Sequence, residues 1–331
     1  SPVNDREAHS GPQMMAAPEL DLPVEPEGPT ALAVPNVSEG EHGPTLEAFE
    51  GAIAACGAHV LDRHSDVDHG RSVLTLAGDP LSVQDALVAL AGECLDRIDI
   101  RRHRGTHPRV GALDVAPIVA RRPEDLGLAC EIARGLANRI GQELMLPVFL
   151  YGAVAGHPDR VRPHHFREGG VVGLTARVEE GEIVPDAGPP RLHPTAGAVL
   201  VGVRGPLIAW NVELPTGSLT EARAIAARVR ESGGGLPALR ALGLYLGQAG
   251  VPQVSMNLED YRATPPVAAV AAVRREAERL GVEAGDSELV GLIPADALRG
   301  ASTGLLGLRG FRPGQVLEAQ LRAIGRERTA R

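Results

Sequence analysis

An α+β fold is predicted, built from two α/β sandwiches that share one element order. Three observations predict it. Along residues 31–119 the apolar period switches between two and about 3.6 in the order strand, helix, strand, strand, helix, strand. The same order recurs along residues 207–293. Helix-start signals at Ser82 and Ser218 fall where the longer period begins.

Residues 1–30 are rich in Pro, Glu and Ala without a period, a composition that buries too little surface to order itself, so a disordered tail is expected. The first strand is placed at Ala31–Pro35, followed by the turn-rich NVSEGEHGP and a helix over Thr45–Cys56. Val60–His64 and Ser72–Ala77 read as strands on either side of the polar SDVDHGR. A capping box from Ser82 to Asp85 opens the next helix, with Val83, Leu87, Leu90 and Cys94 on one face. Gly111–Val119 is the fourth strand; an extra helix at Glu124–Gly141 and a strand at Pro147–Tyr151 follow. In the second half Leu207–Leu214 alternates, Ser218 with Glu221 caps a helix carrying Ala222, Ile225 and Val229, and Leu239–Leu246 and Val251–Leu258 read as strands. Pro266–Leu280 is a helix stopped by Gly281, and Glu288–Ile293 closes the set. Each half is the split unit of ferredoxin-like folds. The division expected is a tail over 1–30, a first subdomain over 31–204 and a second over 205–331, joined between Ala198 and Pro206. A cleft between two sandwiches is where a small ligand is expected to bind.

The bulk numbers restrict the function. In 331 residues, 44% are hydrophobic but only 2% aromatic, so the cores must be aliphatic. The chain holds no Lys, and all 33 basic side chains are Arg, which grips carboxylates or phosphates through paired donors. A net charge of −9 argues against a nucleic-acid partner. Cys56, Cys94 and Cys130 have no CxxC spacing and read as reduced core thiols, which points to the cytoplasm. No apolar run approaches the roughly 18 residues of a membrane span, and the first residues lack a signal-peptide profile.

The stretch richest in chemistry is RRHRGTHPRVGALDVAP, residues 101–117. Pro108 disfavours helical backbone at His107, so His103 and His107 do not share a helix face as metal ligands would. The residues alone leave two readings: a solvated basic turn, or a histidine general base beside Arg109 with Asp114 on the following strand. In the same way Arg71 reads either as a solvated loop arginine or as a carboxylate holder, and DAGPPRLHPTAG as an ordinary Gly/Pro turn.

RHRGTHPRVGALDVAP closely resembles the RHxGxHPRxGALDVxPF signature of the formiminotransferase domain. Further resemblances occur in order: VPNVSEG at 34–40, RSVLTLAG at 71–78, PVFLYG at 147–152, LIAWNVEL at 207–214, QVSMNL at 253–258 and SELVGLIP at 287–294. The resemblance implies a glutamate formimidoyltransferase of the monofunctional bacterial type, which moves a formimino group from N-formimino-L-glutamate to N5 of tetrahydrofolate. It implies His107 as the catalytic residue and tetrahydrofolate as cosubstrate, with no metal, no nucleic acid, no membrane and a homodimer. It also implies a folate-binding segment made of Gly188, Pro189, Pro190, Arg191, Leu192, His193, Pro194, Thr195, Ala196 and Gly197. On this reading Arg71 holds a substrate carboxylate, while Arg109 and Asp114 set the orientation and charge of His107. The family's NR pair appears here as Gly70–Arg71, its YGEAA as YGAVA at 151–155 and its GEYEAL-like segment as GGVVGL at 169–174. His64 stands where the animal enzymes carry an aspartate, with Asp66 and Asp68 close by. Two alternatives remain at this stage: a related folate-dependent transferase with another formyl or formimino donor, and a non-catalytic folate-binding protein.

Overall fold

The structure is a computed structural model that describes residues 30–41, 43–67, 69–103, 108–246 and 250–329. The tail expected over 1–30 lies outside the described residues except for Thr30.

The strand expected at Ala31–Pro35 ends early as β1 (Ala31–Ala33), and a further short strand, β2 (Asn36–Val37), forms at the start of the stretch expected to be a loop; Pro35 between them has no N–H for the ladder, while its carbonyl accepts from Leu74 N at 3.0 Å. Then come α1 (Pro44–Ala55), β3 (His59–Asp66), β4 (Arg71–Gly78), α2 (Pro80–Arg97) and β5 (Leu113–Val119). The cap of α2 differs from the expectation. Asp79, not Ser82, is its N-cap and accepts from Ser82 N at 3.0 Å, since Pro80 is preorganised for the first helical turn.

Next are α3 (Leu126–Glu143), β6 (Val148–Gly152), the short α4 (His164–Arg167), α5 (Gly170–Glu179) and β7 (Val199–Arg204). Strand β7 occupies most of the stretch read as a junction. It lies between β5 and β6, parallel to both, and extends the larger sheet to the order β3, β4, β1/β2, β5, β7, β6. Helices α1, α2 and α3 pack one face of this sheet around Phe49, Leu87, Leu90 and Leu136, while α4 and α5 cover part of the other through Phe149, Phe166 and Leu174.

The second half runs β8 (Ile208–Glu213), α6 (Leu219–Val229), β9 (Leu239–Leu246), β10 (Val251–Leu258), α7 (Pro266–Leu280) and β11 (Ser287–Val290). Its sheet is antiparallel throughout, in the order β11, β8, β10, β9. The inward residues of β8 (Ile208, Trp210 and Val212) are fully buried against α6 and α7, as their alternation predicts. Ser218 and Glu221 form a reciprocal capping box on α6. Ser218→Ala should cost about 1 kcal/mol, read as a lower urea midpoint at unchanged slope; an unchanged midpoint would mean the cap adds nothing.

The chain closes with α8 (Thr303–Leu306) and α9 (Leu317–Thr329). Leu317 and Leu321 of α9 return to the first half and pack on Leu32, Ala77 and Val119. This apolar contact joins the two halves. Beside it a cavity of about 230 Å³ is lined from both sides, by Asp62, Arg63 and His64 of β3 and by Glu288, Arg309 and Arg312. Among the described residues, no helix is long and apolar enough to cross a membrane.

Candidate active site

His107 and its neighbours 104–106 lie outside the described residues, but both ends of that loop are fixed. At its entry Ile100 N donates to Thr195 O (2.9 Å). At its exit Ala198 N donates to Val110 O (3.0 Å) and Ala112 N to Ala196 O (2.9 Å). The C-terminal end of the segment 188–197 therefore holds the stretch on either side of His107, two motifs about 85 positions apart in the sequence.

Gly197 makes this contact possible. Its φ is +69°, and a Cβ there would lie 2.1 Å from Val110 O. Gly188, at the other end, has φ +82° and would meet Leu146 O at the same 2.1 Å. Gly197→Ala should cost about 2 kcal/mol or more, read as a lower urea midpoint, because left-handed strain adds to a backbone clash. Wild-type stability in that variant would show that the contact is dispensable.

His193 has a local role. Its Nδ1 accepts from Thr195 N (3.3 Å) and Ala196 N (3.1 Å), and its backbone pairs with Gly197, so the imidazole shapes the turn. Arg191, Pro190 and Pro194 are exposed, Leu192 is half-buried and packs toward Phe149 and Leu174, and Ala196 is buried.

Asp114 is the centre of a polar cluster. Between Asn36 and Val37 the pairing jumps from Val115 to Leu113, so Asp114 is the extra residue of a β-bulge, a feature that re-aims a side chain out of a ladder. The carboxylate is 2% exposed. It accepts from Val110 N at 2.8 Å and from Arg167 Nη2, and lies 3.8 Å from Arg71 Nη1. Arg71 is held from the other side by Asn36 Oδ1, which accepts its Nε at 2.8 Å, while Asn36 Nδ2 donates to Val34 O at 2.8 Å. Ser38 Oγ donates to Gly111 O (2.8 Å), tying VPNVSEG to the strand that follows His107. Burial lowers Arg71 to about 10; Asp114 opposes that shift, and Arg167 and Arg109 add to it.

Arg109, two positions after His107, donates through Nη2 to His69 O (3.0 Å). His103 Nε2 donates to Gly70 O (2.7 Å), leaving Nδ1 to accept from Arg109 Nη1. Burial lowers the His103 pKa, opposed by the Gly70 bond, and Arg109 lowers it further. His69 Nδ1 donates to Asp66 Oδ2 at 2.6 Å. His64 lines the junction cavity, Asp66 serves His69, and Asp68 is outside the described residues.

The structure thus brings Arg71, Arg109 and Asp114 together with the C-terminal end of the 188–197 segment. The junction cavity is lined by none of these residues. Sequence reasoning missed Arg167, Asn36 and Tyr151. Tyr151 is buried among Arg204, Arg167, Asp114 and Arg71, and burial raises its hydroxyl to about 12, so it stays protonated. Asn36 and Tyr151 fall inside VPNVSEG and PVFLYG, and those motifs were the available signal for both. Among the described residues no group of three or more His, Cys, Asp or Glu is arranged to hold a metal ion.

Fold and cluster define a mixed α/β protein with two sheets, whose buried polar groups gather where β2, β4 and β5 meet the 188–197 segment. The model of the formiminotransferase domain, N-terminal subdomain, matches residues 30–204, and that of the formiminotransferase domain matches 209–305. Over 266 residues the chain is 38% identical to glutamate formimidoyltransferase of Streptococcus pyogenes serotype M1, covering 80% of this chain and 89% of that protein. It is 37% identical to the glutamate formimidoyltransferase of Thermoplasma acidophilum, covering 87% and 96%. Rat formimidoyltransferase-cyclodeaminase is 35% identical, with 81% of this chain and 51% of that protein covered. The chain belongs to the formiminotransferase family.

Proposed function

We propose that the chain is a glutamate formimidoyltransferase, moving the formimino group of N-formimino-L-glutamate to N5 of tetrahydrofolate. One observation carries this reading: 37–38% identity to glutamate formimidoyltransferases over nearly the whole of those proteins. Tetrahydrofolate is the cosubstrate. N5 loses a proton as it attacks the amidine carbon, and the glutamate nitrogen gains one as the C–N bond breaks. His107 takes the first proton and returns it to the leaving amine, since an imidazole titrates near neutrality. Holding both substrates in one site supplies rate through orientation. The fixed loop ends at Ile100 and Val110 support a defined place for His107, and Arg109 and Asp114 anchor the chain that follows it. The segment Gly188–Gly197 seats the pterin with its backbone groups, and Arg71 faces a substrate carboxylate.

The proposal includes a division at residues 204/205 into two ferredoxin-like units, with 1–30 a separate tail. The order β11, β8, β10, β9 supports this for the second half; in the first, β6 and β7 are added beside β5. A homodimer in the cytoplasm follows from the family reading, and sedimentation would report the former. The reaction is tested by incubating purified protein with tetrahydrofolate and a panel of formimino and formyl donors, then identifying products by mass spectrometry. Glutamate and 5-formiminotetrahydrofolate from formiminoglutamate alone are expected. Turnover of a different donor would favour the related-transferase reading that the GGVVGL departure raises, and folate binding without turnover would favour a binding protein.

A further inference from the structure

Arg167 is a guanidinium with unused donors in a prepared place. It ends α4, whose Phe166 is fully buried and stacks on Phe149 with ring centroids 5.2 Å apart. The same turn is tied to α5 by Arg177 Nη1, which donates to His165 O at 2.7 Å. Arg167 therefore emerges from an anchored turn. Among the described residues its hydrogen bonding is limited to Asp114, through Nη2. Its Nε is buried and has no acceptor. The side chain as a whole is 17% exposed, so part of it reaches the surface of the cluster.

An arginine guanidinium is complementary to the oxygens of a carboxylate. Asp114 is already engaged by several donors. Its Oδ1 accepts from Val110 N, and its Oδ2 already serves Arg167 Nη2 with Arg71 Nη1 3.8 Å away. The bulge carboxylate thus pins the Nε/Nη2 edge of the guanidinium and leaves Nη1, which has no partner among the described residues, for an anion supplied from outside. Tyr151, kept protonated beside Arg167 and Arg71, contributes no competing negative charge at neutral pH.

We propose that Arg167 is a substrate-binding residue whose guanidinium, held by Asp114 and flanked by Arg71, grips a carboxylate of a glutamate moiety. The identity of that glutamate rests on the transferase reading above. Both substrates of that reaction carry one, the formimino donor itself and the glutamate tail of the folate.

The test uses the full chain with Arg167→Gln and Arg167→Lys. A lost charge-assisted pair should raise the KM of one substrate about 10- to 100-fold in the Gln variant, with kcat changing less than KM. The Lys variant keeps the charge but loses the fork, so its KM should fall between. A rise confined to the donor assigns the grip to the donor carboxylate; a rise confined to tetrahydrofolate assigns it to the folate tail. Both KM values within about twofold of wild type overturn the proposal. Should wild type transfer no formimino group, the transferase reading fails, and calorimetric titration with L-glutamate and glutarate decides this inference independently. Binding by wild type that weakens at least about tenfold in Arg167→Gln supports it, whereas no binding, or equal binding, overturns it. If neither variant folds, wild type assayed against the α- and γ-amides of the donor and against folate lacking its glutamate still decides. At least one should show a KM raised about tenfold, and equal values would overturn the grip.

Discussion

His107→Ala should lower kcat for formimino transfer by about 10²- to 10⁴-fold while leaving the fold intact, because the proposed mechanism loses the group that carries its proton. The loss should appear in kcat more than in either KM, since the proposed role places the imidazole at the reacting atoms and not at the substrate ends. Wild-type turnover in this variant would remove His107 from the chemistry. His103 offers a useful control, because it is committed to Gly70 O and Arg109 and serves the architecture of the loop. Its replacement should lower stability first, with any loss of activity following from that.

Asp114→Asn should be the most destabilising single change in the cluster, at about 3–5 kcal/mol, because it leaves Arg167 and Arg71 buried without the carboxylate between them. Urea unfolding of variant and wild type would read this directly. Part of the loss should reach activity, since Val110 N is bonded to Asp114 and Val110 O to the 188–197 segment, so one residue links the cluster to the proposed folate seat. A stability within about 1 kcal/mol of wild type would mean the bulge residue is not the keystone proposed here. The effect also has a direction. Removing the acid should hurt more than removing either arginine alone, because one carboxylate serves two cations.

Much of the fold is legible in the chain, and the exceptions have physical reasons. Strands β9 and β10, helix α7 with its Gly281 stop and the Ser218 capping box follow directly from period and cap chemistry. Strand β7 does not. Val199–Val203 are buried on both faces between two parallel neighbours, so the alternation that marks a half-exposed strand is absent, and flanking glycines and Pro206 suggest a linker instead. Helix α5 has no side-chain cap, and its N-cap Gly169 and first residue Gly170 are both in left-handed backbone, so no start signal marks it. The α2 cap is not legible at Ser82, whose hydroxyl has helix-start chemistry of its own but donates to the true N-cap, Asp79.

The candidate site divides in the same way. The RHRGTHPRVGALDVAP motif brings Arg109 and Asp114 into view because their spacing is local. Arg167 belongs to RVRPHHFREGG, which has no period, and it meets Asp114 across 53 positions through tertiary structure alone. The bulge that presents Asp114 depends on register between β2 and β5, and no single segment encodes a register.

The central claim is that His107 and the segment Gly188–Gly197 form one site around the pterin. A crystal structure of the chain with a tetrahydrofolate analogue tests it most directly. The pterin is predicted to lie against Gly188–Gly197 with N5 within hydrogen-bond reach of the His107 imidazole. A pterin bound elsewhere, for instance in the junction cavity beside Asp62 and Arg312, or an imidazole turned away from N5, would contradict the account.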